Sequence, residues 1–68
     1  MKQLSGKELC RVVERRGWAL MRITSSHHIY GKPASVVRLS IPVHANRSLK
    51  AGLLRHLMKQ AGITEADL

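Results

Sequence analysis

A single cysteine, Cys10, in a chain of 68 residues limits how this molecule can hold itself together. Domains this small bury only a modest core and commonly lean on disulfides, a metal or a partner. One cysteine rules out an intrachain disulfide. Residues 1–68 are therefore expected to form one domain that relies on close packing, on a partner chain, or on both. Cys10 falls inside a helical pattern, where it reads as a small buried hydrophobe and not as a reactive thiol, and the compartment implied is reducing and cytoplasmic. The N-terminus lacks an apolar stretch of signal-peptide length, and the longest apolar runs are far too short to span a bilayer, so no membrane association is expected.

The elements are well punctuated. Ser5 with Glu8 makes a capping box, Leu4 and Leu9 can staple it, and Gly17 is a left-handed stop, which predicts a helix over about Gly6–Arg16. Trp18–Ile23 reads as a strand, Thr24-Ser25-Ser26 as a turn, and His28-Ile29-Tyr30 as a short return strand ended by Gly31-Lys32-Pro33. Val36–Ile41 alternates, with Val37, Leu39 and Ile41 on one face and Arg38 and Ser40 on the other, and Pro42 closes it. After a loop from Pro42 to Ser48, Leu49, Leu53, Leu54, Leu57 and Ala61 recur at helical spacing up to Gly62, giving a second helix over about Leu49–Ala61. Thr64 can cap a further turn, but the chain ends too soon for a helix to propagate, so the tail is expected to fray or to dock on a partner. The order helix-strand-strand-strand-helix with short connections predicts an α+β fold in two layers: a three-stranded antiparallel meander with both helices on one face, the arrangement of double-stranded-RNA-binding domains.

Charge narrows the partner. Twelve Lys and Arg stand against four acids, for a net +8, and two of those acids, Glu65 and Asp67, lie in the last four residues. The cations are spread over every segment and so belong to a folded surface carrying a positive field. A polyanion is implied, and nucleic acid is favoured over lipid because a membrane-bound helix needs aromatic anchors and only Trp18 and Tyr30 are available.

Chemistry concentrates in Ser25-Ser26-His27-His28-Ile29-Tyr30. Neighbouring histidines on a strand point to opposite faces: His28 shares a face with Tyr30, and His27 shares one with Ile29 unless the turn re-aims it. RNA cleavage needs a group titrating near neutrality to take the 2′-hydroxyl proton or to protonate the 5′-leaving oxygen, and it needs no metal. Cations must offset the charge building on phosphorus, and Arg22, Lys32 and Arg38 lie on the strands and turns around His27. A strand-end histidine can equally be an ordinary solvent-facing residue, and the residues alone leave both readings open. His44, in the loop after the third strand, flanks the sheet as the His27 turn does, and reads either as a second acid/base group or as a polar loop residue. His56 lies with Arg55 and Lys59 on the exposed side of the second helix. The four histidines and one cysteine show neither the i, i+3 or i, i+4 pairing nor the CxxC spacing of zinc sites, so no metal or other cofactor is expected. A Gly-rich phosphate loop, a Gly-x-Ser-x-Gly elbow and a Cys/His nucleophile pair are absent, which removes kinase, nucleotidase and esterase readings.

Taken in order, Gly17-Trp18, Arg22, Ser26-His27-His28-Ile29-Tyr30, Ile41-Pro42-Val43-His44 and the run Leu54 to Ile63 resemble the HicA (YcfA-like) family of toxin–antitoxin ribonucleases. The resemblance covers nearly the whole chain and is specific in combination. It implies a double-stranded-RNA-binding-like fold, metal-independent cleavage of mRNA that blocks translation, and neutralisation by a HicB-like antitoxin. The family's catalytic histidine maps onto His27, with Ser26, His28, Arg22, Lys32, Arg38 and His44 as candidate RNA contacts. Ser25 stands where the family usually has glycine, which matters because glycine permits backbone angles or a phosphate approach that serine resists. A non-catalytic RNA-binding module and an inactive adaptor that only binds an antitoxin-like partner are the alternative readings of the same charge and topology.

Overall fold

The computed structural model describes residues 3–68 and runs α1 (Gly6–Arg15), β1 (Ala19–Thr24), β2 (His27–Gly31), β3 (Leu39–Pro42), α2 (Ala51–Ala61) and a closing 3₁₀ turn (Glu65–Asp67). The strands form one antiparallel sheet in the order β1-β2-β3, an α+β arrangement of the double-stranded-RNA-binding type.

The first helix starts as its sequence requires. Ser5 Oγ accepts from Glu8 N at 3.2 Å and Glu8 Oε1 accepts from Ser5 N at 2.9 Å, so two of the helix's orphan donors are satisfied, a feature worth about 1 kcal/mol. Leu9, Val12 and Val13 turn inward, and Gly17 ends the helix at φ +97°. Gly6 has a second role: a Cβ there would collide with the Pro42 carbonyl, so its missing side chain is what lets the start of α1 lie directly on the end of β3.

The core lies between the two helices and the β2–β3 side of the sheet, with Leu9, Val13, Tyr30, Leu39, Ile41 and Leu54 almost fully buried. Trp18 is buried beside them, and its indole N–H donates to the Ala61 carbonyl at 3.3 Å, tying the start of β1 to the end of α2. The Tyr30 hydroxyl donates to Glu14 on α1 and also meets the buried thiol of Cys10. Burial and the bond to Glu14 push the Tyr30 phenol well above its ordinary value of 10.0, and burial pushes the Cys10 thiol above 9.0. Cys10 is thus a core residue.

Four expectations are corrected. The third strand was expected from Val36, but the ladder begins at Leu39. Ser35 N bonds Lys32 O, Val37 N bonds Ser35 Oγ and Arg38 Nη1 bonds Ser35 O, so local partners satisfy this stretch, and Val36 and Val37 are exposed. Trp18 was expected in β1, but its N–H is spent on the Val13 carbonyl at the helix end. The second helix was expected from Leu49, but Leu49 N donates to Leu4 O at 2.7 Å and Ser48 bridges Ser5, which delays the helix to Ala51 and leaves Leu53 partly exposed. The tail does not fray but closes on the chain itself. Thr64 N bonds Asp67 Oδ2 at 2.8 Å, Asp67 pairs with Arg16 at 3.7 Å, and Leu68 packs on the chain's own core.

Candidate functional site

Thr24 and His27 are paired across β1 and β2, so Ser25 and Ser26 form a two-residue hairpin turn. Such turns require positive φ at their first central residue. Ser25 supplies it at φ +56°, a region that favours glycine. The turn is locked from behind by Val43 N, which donates to Ser26 O at 2.8 Å. A short, tied hairpin therefore places His27 at the first position of β2 with its side chain exposed.

Register decides what surrounds it, because residues directly opposite each other share a face. His27 lies opposite Thr24 and Pro42, and Ile29 opposite Arg22 and Ser40, all on the face away from the helices. His28 and Tyr30 lie opposite Ile23 and Leu20 on one side and Ile41 and Leu39 on the other, on the face that packs beneath the helices. The structure also explains how Arg22 reaches the His27 face. Plain alternation would give Arg22 the same side as Leu20, but the register shifts between Leu20 and Arg22, with Met21 as the extra residue. A bulge of this kind re-aims the side chains after it.

The remaining candidates divide between the two ends of the sheet. Ser26 belongs to the turn, and His44 lies two residues beyond Pro42, exposed in the loop that Val43 anchors to that turn, so His44 stands at the His27 end. Arg38 and Lys32 stand at the other end. The Arg38 guanidinium is held by Ser35 O and Val37 O, each at 3.1 Å, and packs over Gly31 together with Met21. Lys32 Nζ sits 5.5 Å from the centre of the Trp18 ring. Four strand steps, roughly 13 Å, separate Gly31 from His27, so these two cations stand at the far end of the sheet and do not converge on the histidine. His28 is half-buried on the helix side of the sheet, between the buried Ile41 and the exposed Ile23.

Two features escaped the sequence reading. The Met21 bulge has no signal in a short apolar run, since any residue there fits the alternation equally well. Arg47 and Lys50 lie beside His44 around a shallow groove, and the signal that marks them is two cations flanking a loop that already holds a histidine.

Among the described residues, no three His, Cys, Asp and Glu side chains come together in a way that could hold a metal ion, and no helix is long and apolar enough to cross a membrane. A family model described as the HicA toxin of bacterial toxin–antitoxin systems matches residues 6–63. That stretch contains both helices, the whole sheet, the hairpin turn and all seven candidate residues named above. A search of curated proteins gives no match.

Proposed function

Since the chain belongs to the HicA toxin family, the toxin half of a bacterial toxin–antitoxin pair, we propose that it is a metal-independent endoribonuclease that cleaves mRNA and so blocks translation. The observation that carries this reading is the exposed His27 at the hairpin, on the same open sheet face as Arg22. In this mechanism His27 takes the proton of a ribose 2′-hydroxyl as that oxygen attacks the adjacent phosphorus. The bond from phosphorus to the 5′-oxygen breaks, and that oxygen takes up a proton from His44 or from solvent. The products are a 2′,3′-cyclic phosphate and a free 5′-hydroxyl. Arg22 offsets charge on the phosphorane oxygens, and Arg38 and Lys32 hold the strand at the far end of the sheet.

An mRNA-cleaving toxin in the cytoplasm needs restraint, and a HicB-like antitoxin of acidic surface supplies it in this reading. The field that draws RNA draws that partner too, which favours fast association and direct competition for the His27 face. RNA and antitoxin should exclude one another, and amide protection on binding the antitoxin should rise at residues 25–30. Protection confined to the outer side of α2 would contradict occlusion of His27.

The deciding experiment is digestion of purified mRNA by the whole chain in excess EDTA, with end-group analysis of the fragments. Cleavage leaving cyclic phosphate ends supports the mechanism. RNA binding without cleavage would instead make the chain a non-catalytic RNA-binding module.

A further inference from the structure

Beside the His27 hairpin lies a groove of about 230 Å³ between the end of β3 and the first turn of α2. Its apolar lining is Pro42, Leu49 and Leu53, its polar lining includes His44, Arg47 and Lys50, and no carboxylate borders it. The groove adjoins the candidate catalytic site, because Pro42 is the strand partner of His27 and the next residue, Val43, is bonded to the hairpin turn. Leu53 keeps 37% of its surface exposed, whereas Leu54, Leu57, Met58 and Ala61 of the same helix are buried, and it lines this groove.

Size and charge select the occupant. Pockets for drug-sized ligands start at about 300 Å³, so this one suits a single ring system. An apolar wall next to cations and free of acids complements a flat base carrying an anionic phosphate. An acidic peptide would match the cations but leave Pro42, Leu49 and Leu53 without a partner.

We propose that this groove seats one unpaired nucleotide of the RNA strand next to the bond on which His27 acts, its base against Pro42, Leu49 and Leu53 and its phosphate between Arg47 and Lys50. The position relative to the cleaved bond rests on the proposed nuclease function; the nucleotide site itself does not. A base inside a duplex is stacked and paired and cannot enter such a groove, so the site selects single-stranded RNA at the cut.

The test is an amide-shift titration of the full chain with adenosine 5′-monophosphate, with adenosine and inorganic phosphate as separate arms. Saturable shifts are expected at residues 47–54, with the nucleotide binding more tightly than either of its parts. Leu53→Ser should weaken both adenosine and the nucleotide roughly 3- to 6-fold, the share of a leucine's burial that a covering base would supply. Arg47→Ala should weaken the nucleotide and phosphate while leaving adenosine unchanged. Lys50→Ala repeats the phosphate reading at a second exposed position if either variant loses its fold. Equal affinity for phosphate and nucleotide, indifference to Leu53, or shifts confined to the open sheet face would overturn the proposal. Adenosine monophosphate contains no phosphodiester bond, so a chain that binds it here but cuts no RNA refutes the nuclease reading alone, and a chain that cuts RNA but leaves these amides unmoved refutes the groove alone.

Discussion

On β2 and β3 the two faces of the sheet are made from alternating residues yet are finished in opposite ways, while β1 at the edge stays exposed on both. On the helix side Tyr30, Leu39 and Ile41 are buried to about 1% exposure or less, and the tyrosine hydroxyl is bonded to Glu14. On the other side Arg22, His27 and Ser40 are exposed and Ile29 is only half-buried. A 68-residue chain has one core to spend on stability, and concentrating it on one side leaves the other free for charge and chemistry. His27 and His28 show the division at its sharpest, since one peptide bond separates the two environments.

The largest stability effects should fall on the helix side. Leu39→Ala is expected to cost about 2–5 kcal/mol by urea denaturation, against less than about 1 kcal/mol for Ile29→Ala on the open face. Equal losses would mean that something covers the open face in the isolated chain.

Alkaline pH should single out the same layer. Tyr30 and Cys10 have raised values in the fold, so above their ordinary values of 10.0 and 9.0 the folded state keeps protons that the unfolded state has released. The stability they provide is complete below about pH 9 and is lost as pH rises, by roughly 1.4 kcal/mol per pH unit for each retained proton. Tyr30→Phe should flatten the upper part of that decline. An unchanged slope would remove the tyrosine from the account.

The open face should instead respond to salt. Each phosphate contact on single-stranded RNA contributes roughly 0.7 to the log–log slope of affinity against salt, so Arg22→Ala and Arg38→Ala should each flatten it by about that amount. Lys59→Ala, on the exposed side of α2, should not. If Lys59 matters as much as Arg22, RNA does not follow the sheet.

The smallest effect concerns the turn. Ser25→Gly relieves a left-handed serine and should raise stability by about 1 kcal/mol or less, the glycine's extra chain entropy offsetting part of the gain. A destabilised Ser25→Gly chain would show that the serine side chain holds the hairpin.

Much of this organisation was legible in the sequence wherever one short-range signal decided it. The Ser5–Glu8 box, the glycine stops and the opposite facing of His27 and His28 follow from spacing alone. The misjudged stretches are those where backbone groups were claimed by distant or irregular partners. Leu49 pairs with Leu4, Trp18 closes α1, and Ser35 draws Val37 away from the sheet, and none of these partners is visible in periodicity. The candidate site could be named from the sequence as residues but not as geometry. The Met21 bulge puts Arg22 on the face of His27, whereas Lys32 lies against Trp18 and, with Arg38, stands at the far end of the sheet.

The central claim is that the open face carries the chemistry and the helix face carries the fold, and the two adjacent histidines test it directly. RNA cleavage in EDTA and urea stability should be measured side by side for His27→Ala and His28→Ala. The expected result is a loss of about 10²–10⁴ in rate with stability unchanged for His27→Ala, and a loss of about 1 kcal/mol of stability with a much smaller rate effect for His28→Ala. Wild-type cleavage by a folded His27→Ala chain, or a rate loss at His28 as large as that at His27, would contradict it.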